Sequence, residues 1–171
     1  MTGDAQHGPR IIGSLRAESG RGSVRMEDRF DTTVEDAWSA LTDPARLARW
    51  LGRVEGDLHA GGRFHRFFYA SGAEGPGTVD VCEPPHRFVV SLGNDGDEPH
   101  VVEAVLRTEG MQTVVVIEEK GMPLHLLAAY GAGIQVHVED LAAHLAGGER
   151  CDANARWDEL EPAYTVLAAD L

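Results

Sequence analysis

Residues 29–50 read RFDTTVEDAWSALTDPARLARW, and this stretch decides the fold. It opens on the end of a strand. Val24, Met26 and Phe30 fall on one face and Arg25, Glu27 and Arg29 on the other, the period of two of a half-buried β-strand, with Asp28 breaking the apolar face. Thr32 and Glu35 then stand at capping-box spacing. Val34, Ala37, Trp38 and Leu41 recur at i, i+3, i+4 and i+7, which predicts an amphipathic helix. Asp43-Pro44 supplies an N-cap and a first-turn proline for a second short helix, whose apolar side is Leu47, Trp50 and Leu51. A strand therefore feeds two short helices that meet at one sharp corner.

Upstream, Ile11 to Leu15 reads as an extended segment joined to the strand through a turn at Gly20/Gly22. Downstream, from about residue 53 to 120, the pattern is β throughout, with Gly61-Gly62, Gly72 to Gly77, Pro84-Pro85, Asn94 to Asp97 and Glu109-Gly110 as its breaks. Turns recurring at intervals of roughly 8–12 residues predict an antiparallel meander rather than βαβ units. After Gly121-Met122-Pro123 comes a long helix over about 126–146, striped by Leu127, Ile134, Val138, Leu141 and Leu145 and ended by Gly147-Gly148. A last short helix carries Trp157, Leu160, Tyr164 and Leu167 on one side and Asp158, Glu159 and Glu161 outward. The organisation expected is a flexible leader over 1–10, one domain over 11–148 and a C-terminal helical extension over 149–171. Its class is α+β, a curved antiparallel sheet of about six to seven strands wrapped on a long helix. A curved sheet and one helix leave space between them, so an apolar cavity of several hundred Å3 is expected.

Composition narrows the function. The chain has 171 residues, with 15 Lys+Arg against 28 Asp+Glu, a net charge of −13, and it is 43% hydrophobic and 25% charged. A single domain of this length buries roughly 70% of its unfolded surface and needs neither disulfides nor metal to do so. The negative charge opposes binding to nucleic-acid phosphates or to anionic membranes. The basic concentration at Arg46, Arg49, Arg53, Arg63 and Arg66 alternates with Trp50, Phe64 and Phe67 and reads as the edge of a core. Cys82 and Cys151 lie far apart, no signal-peptide or membrane-spanning pattern is present, and a reduced cytoplasmic setting is expected.

The ordered set of pieces resembles a known family. Arg29-Phe30-Asp31, Val34 to Trp38, Ala40 to Pro44 with Leu47, Arg49 and Trp50, Gly61 to Phe64, Gly77-Thr78-Val79, Glu83-Pro84-Pro85, Arg87-Phe88, Gly121-Met122-Pro123 and Leu141 to Gly147 follow one another as in the helix-grip SRPBCC (START-like, Bet v-like) superfamily. Within it they look most like the bacterial family named after the activator of the heat-shock-protein-90 ATPase. The resemblance covers residues 24–148 and implies a fold and a pocket rather than a catalytic set. Polyketide cyclases and aromatases belong to the same superfamily, so it also implies an enzymatic alternative. A chaperone-related or stress interaction module is a third reading.

The expected occupant is a small apolar or aromatic molecule between sheet and long helix, with no cofactor or metal. Its expected lining is Trp38, Trp50, Phe67, Phe68, Tyr69, His100, His125, Tyr130, Ile134 and Val138. Trp38 and Trp50 sit at helical apolar positions, while Tyr130 and His137 flank the stripe of the long helix on one side, with Gln135 on the other. Asp28, Arg66, Tyr69, His100 and Glu118 are polar residues in strands, and any that faces inward is a candidate. For an enzyme the choices are His100, His125, Tyr69 and Asp28. His137, Asp140 and His144 share a helix face but bring no HxH, HExxH or CxxC, and read as a solvated side. Cys82 reads as an inert, buried thiol, and the last helix as either covering its own domain or joining a symmetric dimer.

Overall fold

The computed structural model describes residues 8–94 and 97–171. Strands β1 (Gly13–Glu18) and β2 (Arg21–Phe30) lead into helices α1 (Val34–Thr42) and α2 (Pro44–Trp50). Then come β3 (Gly52–Gly56), β4 (Arg63–Phe68), β5 (Glu74–Glu83), β6 (Arg87–Asn94), β7 (Asp97–Glu109) and β8 (Gln112–Pro123). A 3-10 turn at Leu124–Leu126 opens the long helix α3 (Leu127–Leu145), and α4 (Ala153–Ala168) closes the chain. The eight strands form one antiparallel sheet in the order β1-β2-β8-β7-β6-β5-β4-β3. The sheet exceeds the expected six to seven strands, and its far edge is β3, whose five residues lie outward or half-buried except Gly52 and carry no alternation to read.

Register fixes which residues face α3. Val102 pairs with Val90 and Glu119, His100 with Leu92, and Ala104 with Phe88 and Ile117, so these eight side chains share the inner face. Val24, Met26 and Phe30 of β2 complete it and are buried. Gly121 lies inside β8 at a φ of +92°, a left-handed conformation that favours glycine, and it bends the strand end so that Met122 enters the core fully buried.

The helix signals act as read, with one shift. Asp43 caps α2, its Oδ1 accepting from Ala45 N at 2.9 Å. The cap of α1 is Thr33 rather than Thr32: Thr33 Oγ1 accepts from Asp36 N at 3.2 Å, while Thr32 Oγ1 donates to Asp36 Oδ2 at 2.6 Å. Helix α4 packs against α3. Its Leu160 and Tyr164 are fully buried, Arg156 grips Glu139 through Nε and Nη2, and Trp157 Nε1 donates to Ala129 O at 3.1 Å. Trp157, Leu160 and Tyr164 of the α4 stripe are thus used within the chain, while Leu167 is exposed. Gln135, read as a flank residue, is buried against it, accepting from Tyr164 Oη and Ile12 N and donating to Arg10 O. Residues 1–7 of the expected leader lie outside the described residues, and Arg10 is held by an ion pair of 2.9 Å to Asp28.

Candidate functional site

Between the inner face of the sheet and α3 is a cavity of about 150 Å3. Leu41, Leu47, Trp50 and Leu51 line it from α1, α2 and the residue after α2, and Val54 and Leu58 from β3 and the loop behind it. The sheet contributes Phe64, Arg66, Phe68, Phe88, Val90, Leu92, Val102, Ile117 and Glu119, and α3 contributes Ile134, His137 and Val138. Leu41, Leu51, Val54 and Leu58 are only half-buried, so the cavity is nearest to solvent on the side of α2 and β3. The walls are apolar except for Arg66, Glu119 and His137.

Two glycines shape the floor. Gly75 and Gly77 of β5 both face inward with no side chain, opposite Arg66 and Phe64 of β4. A Cβ on Gly77 would stand 2.2 Å from Phe64 Cζ, and one on Gly75 would stand 3.2 Å from Arg66 Nη1 and 2.6 Å from Gly93 O. The missing side chains are therefore the space in which the ring and the guanidinium lie. Trp50 Nε1 donates to Ala40 O at 2.9 Å, which satisfies the indole and leaves its apolar surface for the cavity.

The three polar groups are held differently. Arg66 is buried, with Nη1 donating to Gly93 O at 3.1 Å and Pro76 O at 3.3 Å and the guanidinium 5.2 Å from the Phe68 ring centre. Burial lowers its pKa, and the charge of Glu119 acts the other way. Glu119 pairs with His100, Nδ1 to Oε1 at 3.1 Å, and the His100 ring stands edge-on to Tyr130 at 5.3 Å. His137 meets Phe68 edge-on at 5.5 Å, and its Nε2 is buried with no hydrogen-bond partner among the described residues. Burial holds its pKa below the usual imidazole value against the pull of Glu119 and Asp140, so the ring is neutral at pH 7.

Of the ten residues expected to line the cavity, Trp50, Phe68, Ile134 and Val138 do so. His100 lies behind Glu119 and Tyr130 against His100, and neither lines the cavity. Trp38 backs the wall, its ring edge-on to Phe88 at 5.8 Å. Phe67 is on the outer face under Arg53, at 4.9 Å, because it alternates with the inward Arg66 and Phe68. Tyr69 donates to Ala48 O at 2.9 Å and lies beneath Arg150, and His125 is exposed in the 3-10 turn. The inward acid of β8 is Glu119, whereas Glu118 points outward to Lys120. Asp28 is taken by Arg10. The cavity is also smaller than the several hundred Å3 expected, because Phe64, Phe68, Phe88 and Trp50 fill much of the gap.

His137, Asp140 and His144 diverge: His137 enters the cavity, Asp140 Oδ1 accepts from Cys151 N at 2.9 Å, and His144 Nε2 accepts from Arg46 Nε at 3.2 Å. Among the described residues no group of three His, Cys, Asp or Glu is placed to hold a metal ion. Burial and the neighbouring Asp140 push the Cys151 thiol up to about 11, and burial raises that of Cys82, so neither is an activated nucleophile. A polar groove lined by Arg49, His144 and residues 147–150 lies at the end of α3 and shares no lining residue with the cavity. No helix of the described residues is long and apolar enough to cross a membrane.

A curved antiparallel sheet closed over a long helix, with two short helices at one end and a cavity between, is the helix-grip class of α+β domain. Residues 31–146 match the family described as activator of Hsp90 ATPase homolog 1-like protein, and the chain belongs to that family. Its fold is similar to the crystal structure of CalU16 from Micromonospora echinospora, at 27% identity and a TM-score of 0.74, over 91% of this chain and 95% of that one. It is also similar to DynU16, a protein of the dynemicin biosynthetic locus, at 26% identity and a TM-score of 0.68, over 76% of this chain and 50% of that one. A protein from Bordetella parapertussis shares the fold at 24% identity and a TM-score of 0.70, over 88% of this chain and 87% of that one. No curated protein sequence matches significantly.

Proposed function

We propose that the domain holds a small, one-ring, mostly apolar molecule in the cavity beneath α3. The observation that carries this is an apolar space of about 150 Å3 into which Arg66, Glu119 and His137 project. An apolar cavity of this volume accepts a guest about the size of benzene, and a few placed polar groups among apolar walls set a ligand's orientation. The likeness to DynU16, which belongs to a biosynthetic locus, supports a role in small-molecule metabolism. The test is native mass spectrometry of the freshly purified chain, followed by titration with single-ring aromatics read by the fluorescence of Trp50. A retained small molecule, or saturable quenching that Trp50→Phe removes, is the expected result. An empty protein indifferent to every single-ring probe would count against it.

A second reading is favoured by the same three side chains. Titratable groups gathered in one cavity are what a cyclase-like enzyme needs to hold a reactant and move a proton. Recovery of the bound molecule with a changed mass after incubation would distinguish an enzyme from a carrier. The interaction-module reading gains nothing from α4, whose Leu160 and Tyr164 are buried within the chain.

A further inference from the structure

We infer that the molecule held beneath α3 carries a hydroxyl group, and that this hydroxyl hydrogen-bonds to Nε2 of His137. The inference rests on the reading that the cavity holds a small ligand, and it names the ligand's polar group.

Of the three polar side chains on the cavity wall, two are supported from behind. Arg66 donates to the carbonyls of Gly93 and Pro76, and Glu119 is bound by His100. At His137, Nε2 is buried and without a hydrogen-bond partner among the described residues, and Phe68 and Val138 beside it offer none. A buried polar atom left unsatisfied is costly, and groups so placed in native proteins generally meet a partner. His137 itself lines the cavity, so the open space nearest to Nε2 is the cavity.

The chemistry of the partner follows from the ring and its surroundings. A neutral imidazole nitrogen is a donor or an acceptor depending on tautomer, and a hydroxyl serves either because it does both. A full charge on the ligand is disfavoured. Arg66 and Glu119 carry opposite charges on the same wall, so neither an anion nor a cation meets a field of one sign. Walls of Leu, Val, Ile, Phe and Trp require the rest of the molecule to be apolar. The class defined is a neutral phenol or a comparable small cyclic alcohol.

The experiment compares phenol with toluene, which has the same outline and a methyl group in place of the hydroxyl, with benzoate as the charged control. Dissociation constants are measured by calorimetry on the full chain, its His137→Phe variant and its His137→Gln variant. The quantity read is the phenol-to-toluene ratio, in which differences in ligand hydration cancel between proteins. His137→Phe is expected to shift that ratio against phenol by about ten-fold or more, the consequence of losing one buried hydrogen bond, whereas His137→Gln keeps a donor and an acceptor and shifts it less. Retained toluene binding shows that the His137→Phe cavity is intact, and His137→Gln supplies the comparison if the Phe variant does not fold. Toluene binding with an unchanged ratio, or benzoate binding more tightly than phenol, overturns the inference while leaving the ligand-holding cavity in place. Binding of neither toluene nor phenol to the unmodified chain removes both.

Discussion

His137 would carry a proton less readily inside the cavity than in the unfolded chain, because burial penalises the imidazolium more than Glu119 and Asp140 favour it. The unfolded imidazole titrates near about 6.5. Below that pH the unfolded chain takes up a proton that folded His137 resists, so the contribution is fully present above about pH 6.5 and is lost as pH falls toward the lower folded value. His144 acts in the same direction, through burial first and then Arg46 and Arg49, opposed by Asp36. The melting temperature should therefore fall between about pH 7 and pH 5, with a shallower slope in His137→Phe and shallower again when His144→Gln is added. Identical slopes in thermal scans of all three proteins would show that His137 is not buried neutral. The contrast between Glu118 and Glu119 shows why the cavity's polar residues are hard to read from sequence. Both are acids in the middle of β8, and one residue of register decides which faces α3. One clue was present: Gly75 and Gly77 alternate in a strand, and a strand that gives up two inward side chains makes room for large neighbours, here Arg66 and Phe64.

The elements that carry local chemistry are the ones visible in sequence. Asp43-Pro44 and the stripe of α3 define their helices because capping and period are local properties. Strand β3 and the partner of α4 were not legible, since a short strand without alternation acquires its role from β4, and an amphipathic helix does not say what it covers. The structure answers that for α4, and the answer can be tested. Leu160 is fully buried between α4 and the body of the domain, so Leu160→Ala should cost about 2–5 kcal/mol in urea denaturation. A second variant probes the same contact from α3: a Cβ on Gly131 would lie 2.6 Å from Tyr164 Cδ1. Gly131→Ala would ordinarily stabilise a helix by about 1 kcal/mol, yet here it should destabilise by forcing the Tyr164 ring out of place. A stabilised Gly131→Ala protein, or a loss below about 0.5 kcal/mol for Leu160→Ala, as at a surface site, would mean that α4 is not docked on α3 in solution.

At the scale of the whole molecule, sheet and helix are packed tightly on the side of β2 and β8, where Val24, Met26, Val115 and Leu141 are buried, and less tightly beside β4 and β6, where the cavity lies. A domain built this way gains stability when the loose side is filled. A ligand that binds only the folded state at 100 times its dissociation constant stabilises by about 2.7 kcal/mol. For a chain of this length that corresponds to a rise in melting temperature of roughly 5–10 °C. The same space can be filled covalently. Val138 is buried on α3 at the cavity wall, so Val138→Phe should place a ring where the ligand would lie. Thermal scans with and without phenol separate the effects: the unmodified chain should rise with ligand, and Val138→Phe should show no rise while melting no lower than the unmodified chain. If Val138→Phe melts well below it, the gap under α3 is too rigid to accept a ring. If it still responds to phenol, the ligand that stabilises the protein is bound somewhere other than this cavity.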